Sequence, residues 1–195
     1  VLIKIRSCGI CGSDLYAYNG KEGWMPIHAP GHELSAVITE VGKGVENFKV
    51  GDRVTTEVMS HCGKCNFCIT GAYNLCENMN YITNYGNGGF ADYCVMHHSS
   101  IFKLPDQMTF EEGGLVEPFA VSYRAVRRTG ARPGSKVVIL GSGTIGLFCL
   151  AAAKAEGIDD VFITAKYDHQ EKIAERMGAS YVIRADQKDT RREIA

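Results

Sequence analysis

A glycine-rich turn between a strand and a helix limits the choice of folds for this chain more than its composition does. Val137–Leu140 is a short apolar run, Gly141–Gly146 follows with the spacing G-x-G-x-x-G, and Thr144–Glu156 is rich in Ala and Leu. In that context the first glycine makes the turn, the second lets a pyrophosphate approach the backbone, and the third lets helix and strand pack. A glycine-rich turn without a ligand is the alternative, and the flanking strand and helix disfavour it. The predicted cofactor-binding residues of this turn are Gly141, Gly143, Thr144, Ile145 and Gly146.

Helices and strands alternate from about residue 119 onward. In chain order the pattern predicts helix Phe119–Arg128, strand Lys136–Leu140, helix Thr144–Glu156, strand Val161–Thr164, helix Gln170–Met177 and strand Tyr181–Ile183. Such alternation predicts a parallel sheet with right-handed crossovers. Three strands are half of a six-stranded doubly wound sheet. We therefore expect residues 120–195 to be the first half of a Rossmann dinucleotide-binding domain.

The preceding part of the chain is rich in β-branched and aromatic residues. The strands predicted there are Val1–Ile5, Leu34–Val41, Arg53–Val58 and Phe90–Val95. Glycine turns separate them, so residues 1–119 are expected to form a β-rich first domain of an α/β chain. The sequence opens with Val1 inside a strand-like run and stops in a polar, charged stretch. We therefore expect the chain to be truncated at both ends.

Four cysteines on one short loop predict a structural metal site. They are Cys62, Cys65, Cys68 and Cys76. Loops this short favour one metal ion over disulfides, and a cytosolic compartment keeps thiols reduced. Four thiolates suit a tetrahedral structural zinc, which leaves no position open for catalysis. The alternatives are four unrelated buried cysteines or a nucleic-acid-binding zinc ribbon, which needs basic and aromatic neighbours that Lys64 alone does not supply.

Three further segments carry zinc-type ligands at scattered positions. They are Cys8–Asp14 (CGICGSD), Gly31–Glu33 (GHE) and Glu117-Pro118. A catalytic zinc takes about three protein ligands from Cys, His and Glu and keeps one position open, and the fold assembles such a site from distant residues. Taken singly, each segment has another interpretation. A Cys8/Cys11 pair is compatible with a small metal knuckle, a lone His with a core or surface residue, and Glu before Pro with a helix start.

The end of the second parallel strand predicts which nicotinamide cofactor binds. NAD-binding Rossmann domains usually place Asp or Glu there to hold the ribose hydroxyls. In this chain Ala165 occupies that position and Lys166 follows. A small neutral residue leaves room for a 2′-phosphate, and a lysine can pair with it. The pattern favours NADP(H) over NAD(H); the alternative is that Lys166 is a solvated surface lysine and Asp168 serves the ribose.

Composition argues against nucleic-acid and membrane partners. The chain has 195 residues, a formal net charge of −1, 45% hydrophobic and 22% charged residues. It has no basic stripe of the kind that nucleic-acid binders carry, and no apolar run approaches the roughly 20 residues of a membrane span. We expect a cytoplasmic protein with a small-molecule substrate.

Together these segments resemble the zinc-containing medium-chain alcohol dehydrogenases, and most closely their sorbitol (polyol) dehydrogenase, ketose reductase and butanediol dehydrogenase branch. Besides the four-cysteine loop, the motifs are GICGSD at Gly9–Asp14, GHE at Gly31–Glu33, VGDRV at Val50–Val54, GGFADY at Gly88–Tyr93, EPFAV at Glu117–Val121 and GSGTIG at Gly141–Gly146. They follow the order of the family and cover nearly the whole chain.

The resemblance implies a GroES-like catalytic domain joined to a Rossmann domain, with two zinc ions per subunit. It assigns the catalytic zinc to Cys11, His32, Glu33 and Glu117, where either glutamate binds directly or through water. It also implies that Asp14 orients His32. The reaction it implies is hydride transfer between NADP(H) or NAD(H) and a secondary alcohol, polyol or ketone, in a homodimer or homotetramer. The alternatives are a non-catalytic zinc-ribbon interaction module and a quinone-reductase-like member without catalytic zinc.

The chain departs from the family pattern at two places. Ser13 is implied to start a proton relay, but Tyr16 and Tyr18 stand where many members have a histidine. The basic residue familiar a few positions after the cofactor-selecting strand is replaced by Gln170. The aromatic residues that either line the substrate pocket or belong to the core are Tyr16, Trp24 and Phe119.

Overall fold

The computed structural model of the protein describes residues 1–20, 30–82 and 88–185. The chain divides into two compact units, Val1–Glu117 and Pro118–Ala195. Each unit has its own cluster of buried apolar side chains. The expected GroES-like and Rossmann parts of the chain therefore correspond to separate cores.

A five-stranded antiparallel sheet forms the centre of the first unit. The strands of this unit are β1 (Leu2–Gly9), β2 (Glu33–Glu40), β3 (Arg53–Thr56), β4 (Met59–Ser60), β5 (Asn80–Tyr81), β6 (Tyr93–Val95) and β7 (Ile101–Lys103). The large sheet has the order β6-β1-β2-β3-β7, and β4 pairs with β5. Alternate residues of β2 form the core face, because Leu34, Ala36 and Ile38 are fully buried. This confirms the prediction of a β-rich first domain.

Three short helices in this unit were not evident from the sequence. They are α1 (Gly12–Tyr18), α2 (Asn66–Ile69) and α3 (Phe110–Gly114). Helices of seven, four and five residues are too short to show a hydrophobic period. Capping stabilises α3: Glu112 N donates to Thr109 Oγ1 over 3.1 Å, and Thr109 N donates to Glu112 Oε2 over 2.8 Å.

The strand predicted at Phe90–Val95 is shorter in the structure. It begins only at Tyr93. The preceding N–H groups bond elsewhere, since Gly89 N donates to Gly31 O over 2.7 Å and Phe90 N donates to Pro30 O over 3.0 Å. This part of the GGFADY motif therefore packs against the GHE loop instead of extending the sheet.

The second unit contains a parallel three-stranded sheet with the order β10-β9-β8. Its elements are β8 (Lys136–Ile139), α5 (Thr144–Ala155), β9 (Asp160–Ala165), α6 (Asp168–Arg176) and β10 (Tyr181–Arg184), preceded by α4 (Val116–Arg128), which contains the division between the units. Its fully buried core includes Leu150, Ile158 and Ile163. This confirms the prediction of the start of a Rossmann sheet. The helices α4 and α6 begin earlier than predicted, at Val116 and Asp168.

Among residues 1–20, 30–82 and 88–185, no helix combines the length and apolar composition that crossing a bilayer requires. The helix α4 has 13 residues, whereas a span needs about 20.

Candidate functional site

Strand pairing brings together three metal-type side chains that are distant in the sequence. Gly9 at the end of β1 pairs with Glu33 at the start of β2, so the loop after β1 and the loop before β2 lie side by side. One ligand atom from each of Cys11, His32 and Glu33 lies within 4.8 Å of the other two, and all three side chains are partly buried. A thiol, an imidazole and a carboxylate in one group are a donor set typical of zinc.

The turn before His32 requires a glycine. Gly31 has a φ of +96°, a conformation that residues with a side chain rarely adopt. A Cβ at this position would also lie 2.8 Å from the Phe90 ring and 3.0 Å from the Cys8 sulfur. The GHE and GGFADY motifs thus pack against each other. This packing fixes the backbone that carries His32.

Asp14 ties the two ligand-bearing loops together. Its side chain is buried, and its Oδ2 accepts a hydrogen bond from Cys11 N over 2.8 Å. Its Oδ1 accepts from Gly31 N over 3.2 Å and lies 3.8 Å from His32 Nδ1. The distance to His32 is that of an ion pair and exceeds a hydrogen bond. The main structural role of Asp14 is therefore to hold the backbone at two places. One is the candidate ligand Cys11 itself, and the other is Gly31, the residue before the candidate ligand His32.

Cys8 lies beside this turn but outside the metal-type group. Its sulfur occupies the space that side chains at positions 31 and 89 would need. Burial, with the charges of Asp14 and Glu33, raises the pKa of the Cys8 thiol to about 12. The ligand atoms that meet within 4.8 Å are those of Cys11, His32 and Glu33, and Cys8 is not among them. The geometry therefore disfavours a metal knuckle made by Cys8 and Cys11.

Glu117 lies near the group without belonging to it. Burial raises the pKa of its carboxyl, an effect that the charge of His32 opposes and the charges of Glu33 and Glu57 reinforce. The ligand atoms that meet within 4.8 Å are those of the other three candidates. Glu117 is thus an acidic group within electrostatic reach of the cluster.

Glu57 is a further acidic residue of this region that the sequence analysis did not single out. It directly follows β3, and burial raises the pKa of its carboxyl. Its Oε2 is buried without a hydrogen-bond partner in the described part of the chain. An acidic residue directly after a buried strand, in the context VTTEV, is the sequence signal that could have revealed it.

The remaining residues proposed for the catalytic region have different surroundings. Ser13 is partly buried in the first turn of α1, whereas the Tyr16 and Tyr18 side chains are exposed. Phe119 contacts the rings of Tyr123 and Phe148, with centroids 6.2 and 5.8 Å away, and packs against the core of the second unit. Of its two interpretations, the structure favours the core. Trp24 lies outside the described residues.

The four cysteines of the loop between β4 and β5 converge on one point. Their sulfurs lie 3.9 Å apart for Cys62–Cys68, 3.5 Å for Cys65–Cys68 and 3.9 Å for Cys65–Cys76. Tetrahedral zinc with bonds of about 2.3 Å places sulfurs about 3.8 Å apart. The spacing therefore fits a single zinc ion held by four thiolates.

Backbone hydrogen bonds favour the thiolate form that a metal requires. The N–H groups of Lys64 and Cys65 lower the pKa of the Cys62 thiol to about 6. Cys76 Sγ accepts from Cys62 N over 3.4 Å and from Asn78 N over 3.3 Å. Hydrogen bonds to a charged sulfur stabilise it, so the loop backbone favours the thiolate at Cys62. Desolvation and the neighbouring sulfurs have the opposite effect at Cys68, where they raise the pKa of the thiol to about 12.

The three glycines of the glycine-rich turn differ in how much space surrounds them and in their backbone conformation. Gly141 has a φ of +103°, and its N–H donates to Thr164 Oγ1 over 2.8 Å. A Cβ at Gly146 would overlap the Gly141 carbonyl oxygen. A Cβ at Gly143 would meet no atom within 4 Å. The first and third glycines are therefore needed by the fold, while the second borders open space at the start of α5.

We expect Gly146→Ala to lower the free energy of unfolding by about 1–3 kcal/mol, because the new Cβ must displace the backbone of the turn. Gly143→Ala is the matched control and should change stability by less than about 1 kcal/mol, since its Cβ enters open space. Urea denaturation of both variants measures the difference. Equal stability of the two variants would contradict the packing described for Gly146.

Gln170 joins the glycine turn to the end of β9. Its Oε1 accepts hydrogen bonds from Lys166 N over 3.3 Å, Tyr167 N over 3.4 Å and the Ser142 hydroxyl over 3.4 Å. At the same strand end, Ala165 is buried and Lys166 is exposed. The glutamine that replaces the family's basic residue thus holds the loop that carries the candidate cofactor-selecting residues.

Comparisons with known proteins show which family the chain resembles. Residues 1–106 match the family model of the alcohol dehydrogenase GroES-like domain. The chain is 41% identical over 199 residues to the sorbitol dehydrogenase of Bacillus subtilis (strain 168), covering 100% of this chain and 56% of the relative. The crystal structure of 2R,3R-butanediol dehydrogenase from Bacillus subtilis matches with a TM-score of 0.85 and 39% identity, covering 100% of this chain and 59% of that one.

A second similar structure contains a bound nucleotide. It is a Sinorhizobium meliloti 1021 chain described as a zinc-binding dehydrogenase bound to NADP, with a TM-score of 0.88 and 32% identity, covering 97% of this chain and 55% of that one. The chain thus spans a little over half the length of these relatives.

A β-rich unit with a four-cysteine lobe, followed by a parallel sheet with a glycine-rich turn, defines the class of two-domain zinc-type dehydrogenases. The chain belongs to the zinc-containing medium-chain alcohol dehydrogenase family, in the branch of the sorbitol and butanediol dehydrogenases. The family resemblance found in the sequence is confirmed.

Proposed function

We propose that the protein is a zinc-dependent oxidoreductase that transfers a hydride between a nicotinamide cofactor and a secondary alcohol or polyol, or the corresponding ketone. The observation that carries the proposal is the convergence of Cys11, His32 and Glu33 within 4.8 Å. The same chain contains a glycine-rich turn at the start of a helix, the arrangement that binds a dinucleotide pyrophosphate.

Two zinc ions per chain fit the donor sets. Cys62, Cys65, Cys68 and Cys76 would hold the structural ion. Cys11, His32 and Glu33 would hold the catalytic ion. Glu117, whose carboxyl interacts electrostatically with His32 and Glu33, would bind it directly or through water. A zinc ion held by about three protein ligands supplies a Lewis acid for the substrate oxygen.

The side chains around the catalytic group would position the substrate and carry its proton. Ser13 Oγ would accept the hydroxyl proton of the alcohol and pass it outward, since Ser13 lies in the first turn of α1, next to Cys11. The exposed Tyr16 hydroxyl or water would continue the relay. Asp14 would keep the Cys11 and His32 loops in register through its two backbone hydrogen bonds.

NADP(H) is proposed as the preferred cofactor, with NAD(H) as the alternative. Ala165 leaves room beside the ribose, and the exposed Lys166 can pair with a 2′-phosphate. The similar Sinorhizobium meliloti chain was solved bound to NADP. Gly141, Gly143, Thr144, Ile145 and Gly146 would contact the pyrophosphate through the turn and the start of α5.

The substrate class follows from the relatives. Sorbitol and butanediol dehydrogenases carry 41% and 40% identity to this chain, which favours a diol or sugar alcohol. A cytoplasmic homodimer or homotetramer is the proposed state of the intact protein. A zinc-ribbon interaction module would not need the glycine-rich turn, and a zinc-free, quinone-reductase-like protein would not need the two groups of metal-type ligands.

Counting zinc and screening substrates test the proposal together. Elemental analysis of the intact protein should find two zinc ions per chain. Oxidation of sugar alcohols and diols should be assayed with NADP⁺ and NAD⁺ side by side. At the same low cofactor concentration, it should be faster with NADP⁺ than with NAD⁺. One zinc ion per chain with no turnover would favour the ribbon module, and no zinc would favour the quinone-reductase type. Either result would overturn the proposed reaction.

A further inference from the structure

A cavity of about 490 Å³ lies at the end of β9, in the second unit. It is lined by Lys166, Tyr167, Asp168, His169 and Arg184. The Tyr167 and His169 rings stack with centroids 5.7 Å apart and planes 7° from parallel. Two cations and one carboxylate share this cavity with a flat aromatic wall. Its composition suits an anionic, ring-containing ligand, because aromatic faces stack on rings and cations pair with phosphate.

Arg184 reaches this cavity from the neighbouring strand. In the parallel pairing of β9 with β10, Arg184 is the direct partner of Ala165. The small Ala165 side chain is buried and does not line the cavity, so the cavity lies on the Arg184 side of this pair. The guanidinium also donates to the Lys166 carbonyl over 3.3 Å. This contact brings the arginine next to the lysine already proposed to bind the 2′-phosphate.

Two carboxylates with different exposure hold the Arg184 guanidinium. Arg184 Nη1 donates to Asp168 Oδ1 over 2.6 Å and to Glu171 Oε2 over 2.9 Å. The Glu171 side chain is 31% exposed, whereas the Asp168 side chain is 81% exposed. Glu171 is therefore a support for the arginine. Asp168 is the solvent-facing partner that an incoming anion can replace.

Among the four charged side chains described at this site, the formal charges cancel. Lys166 and Arg184 carry two positive charges, and Asp168 and Glu171 carry two negative charges. A 2′-phosphate brings about −1.5 to −2 charges at neutral pH. Removing the competing carboxylate would leave a net positive site, and removing the guanidinium would leave a net negative one. The affinity for a phosphate should therefore rise when the carboxylate is removed and fall when the guanidinium is removed.

We propose that Arg184 is a second cation for the 2′-phosphate of NADP(H) and that Asp168 competes with this phosphate for the same guanidinium. The Asp168–Arg184 pair then sets how strongly the site prefers NADP(H) to NAD(H). With NAD(H), Asp168 stays on Arg184 near the ribose; with NADP(H), the phosphate takes its place. The inference rests on the proposed function, since it assumes that a nicotinamide dinucleotide binds to this unit.

Calorimetric titration of the intact protein with 2′,5′-ADP and with 5′-AMP tests the inference without turnover. The quantity compared is the ratio of the two dissociation constants, 5′-AMP over 2′,5′-ADP. Arg184→Gln should lower this ratio about tenfold, because it removes a charge-assisted hydrogen bond to the phosphate. Asp168→Asn should raise it about threefold, as expected for an exposed competing charge. Arg184→Lys keeps the charge and should give an intermediate ratio.

Asp159→Asn is the matched control. Asp159 is also an exposed carboxylate paired with a cation, Lys154, 3.7 Å away, but it does not line the cavity. For Asp159→Asn, the ratio of the 5′-AMP and 2′,5′-ADP dissociation constants should equal that of the wild type. Unchanged binding of 5′-AMP by Arg184→Gln shows that the variant is folded.

The outcomes separate the inference from the proposed function. If the wild type binds both nucleotides and Arg184→Gln leaves the ratio unchanged, the inference is wrong and the proposed function stands. If the ratio for Asp168→Asn is lower than that of the wild type, Asp168 does not compete with the phosphate for Arg184, and the inference is likewise wrong. If the intact wild-type protein binds neither nucleotide, the nucleotide part of the proposed function fails, and the inference fails with it.

Discussion

Replacing Cys11 by serine is expected to lower kcat/KM of the intact protein about a thousandfold. The thiolate belongs to the group that holds the proposed catalytic zinc, and a serine hydroxyl is a much weaker zinc ligand. Losing the metal would remove several kcal/mol of charge stabilisation, and about 4 kcal/mol corresponds to a thousandfold loss of rate. The zinc content should fall from two ions per chain to one.

Cys8→Ser is the control for this variant. Cys8 is three residues away on the same segment and is a packing residue whose sulfur lies beside the Gly31 turn. We expect it to keep two zinc ions per chain and to change kcat/KM by less than about tenfold. Cys11→Ser with normal rates and two zinc ions would show that Cys11 is not a ligand. Equal losses in both variants would point instead to a joint Cys8–Cys11 metal site.

Replacing Cys65 by serine is expected to unfold the lobe between β4 and β5 locally. Cys76 is the only buried side chain of residues 61–79, all of which are described, and Ile69 and Leu75 are 69% and 55% exposed. A lobe without an apolar core depends on its metal, and structural zinc sites contribute apparent free energies of about 10–16 kcal/mol in peptides. Limited proteolysis should cut the variant within this lobe at least about ten times faster than the wild type.

The zinc content of the variant and a control substitution at a distant cysteine complete the test of the lobe. Cys65→Ser should retain one zinc ion per chain, the catalytic one. Cys149→Ser is the control, since Cys149 lies in α5, outside both groups of metal-type ligands. It should keep two zinc ions and wild-type proteolysis. A Cys65→Ser protein that still resists proteolysis would mean that hydrogen bonds and turns, and not the metal, hold the lobe.

The second unit could be predicted from the sequence almost element by element. Strand and helix differ in period, and the runs at Val161–Thr164 and Thr144–Glu156 are long enough to display it. The spacing of the glycines also has a direct steric cause, since a Cβ at Gly146 would overlap the Gly141 carbonyl. Local sequence therefore determines this part of the fold, and the three strands predicted there are observed.

The proposed catalytic region was harder to predict because it depends on contacts between distant segments. The seven residues of α1 are too few to show a hydrophobic period, and its first turn is stabilised by a hydrogen bond that Cys11 N donates to Asp14 Oδ2. Nor did the sequence show that Phe90 leaves the sheet to bond with the GHE loop. Glu57 was missed because an acidic residue after a strand is a weak signal, and the burial of its carboxyl near Glu117 is evident only in the structure. The candidate ligands lie in motifs that are visible in the sequence, whereas the residues that surround them are known only from the tertiary structure.

The pairing of Gly9 with Glu33 has a consequence for how such proteins can diverge. The ladder between β1 and β2 shifts register between Ile5 and Ser7, but Ser7–Gly9 pairs regularly with Glu33–Ser35. Deleting one residue in this regular part would turn side chains to the opposite face of the sheet and carry the candidate metal donors out of alignment. Insertions and deletions in descendants of this gene should therefore avoid these two short stretches.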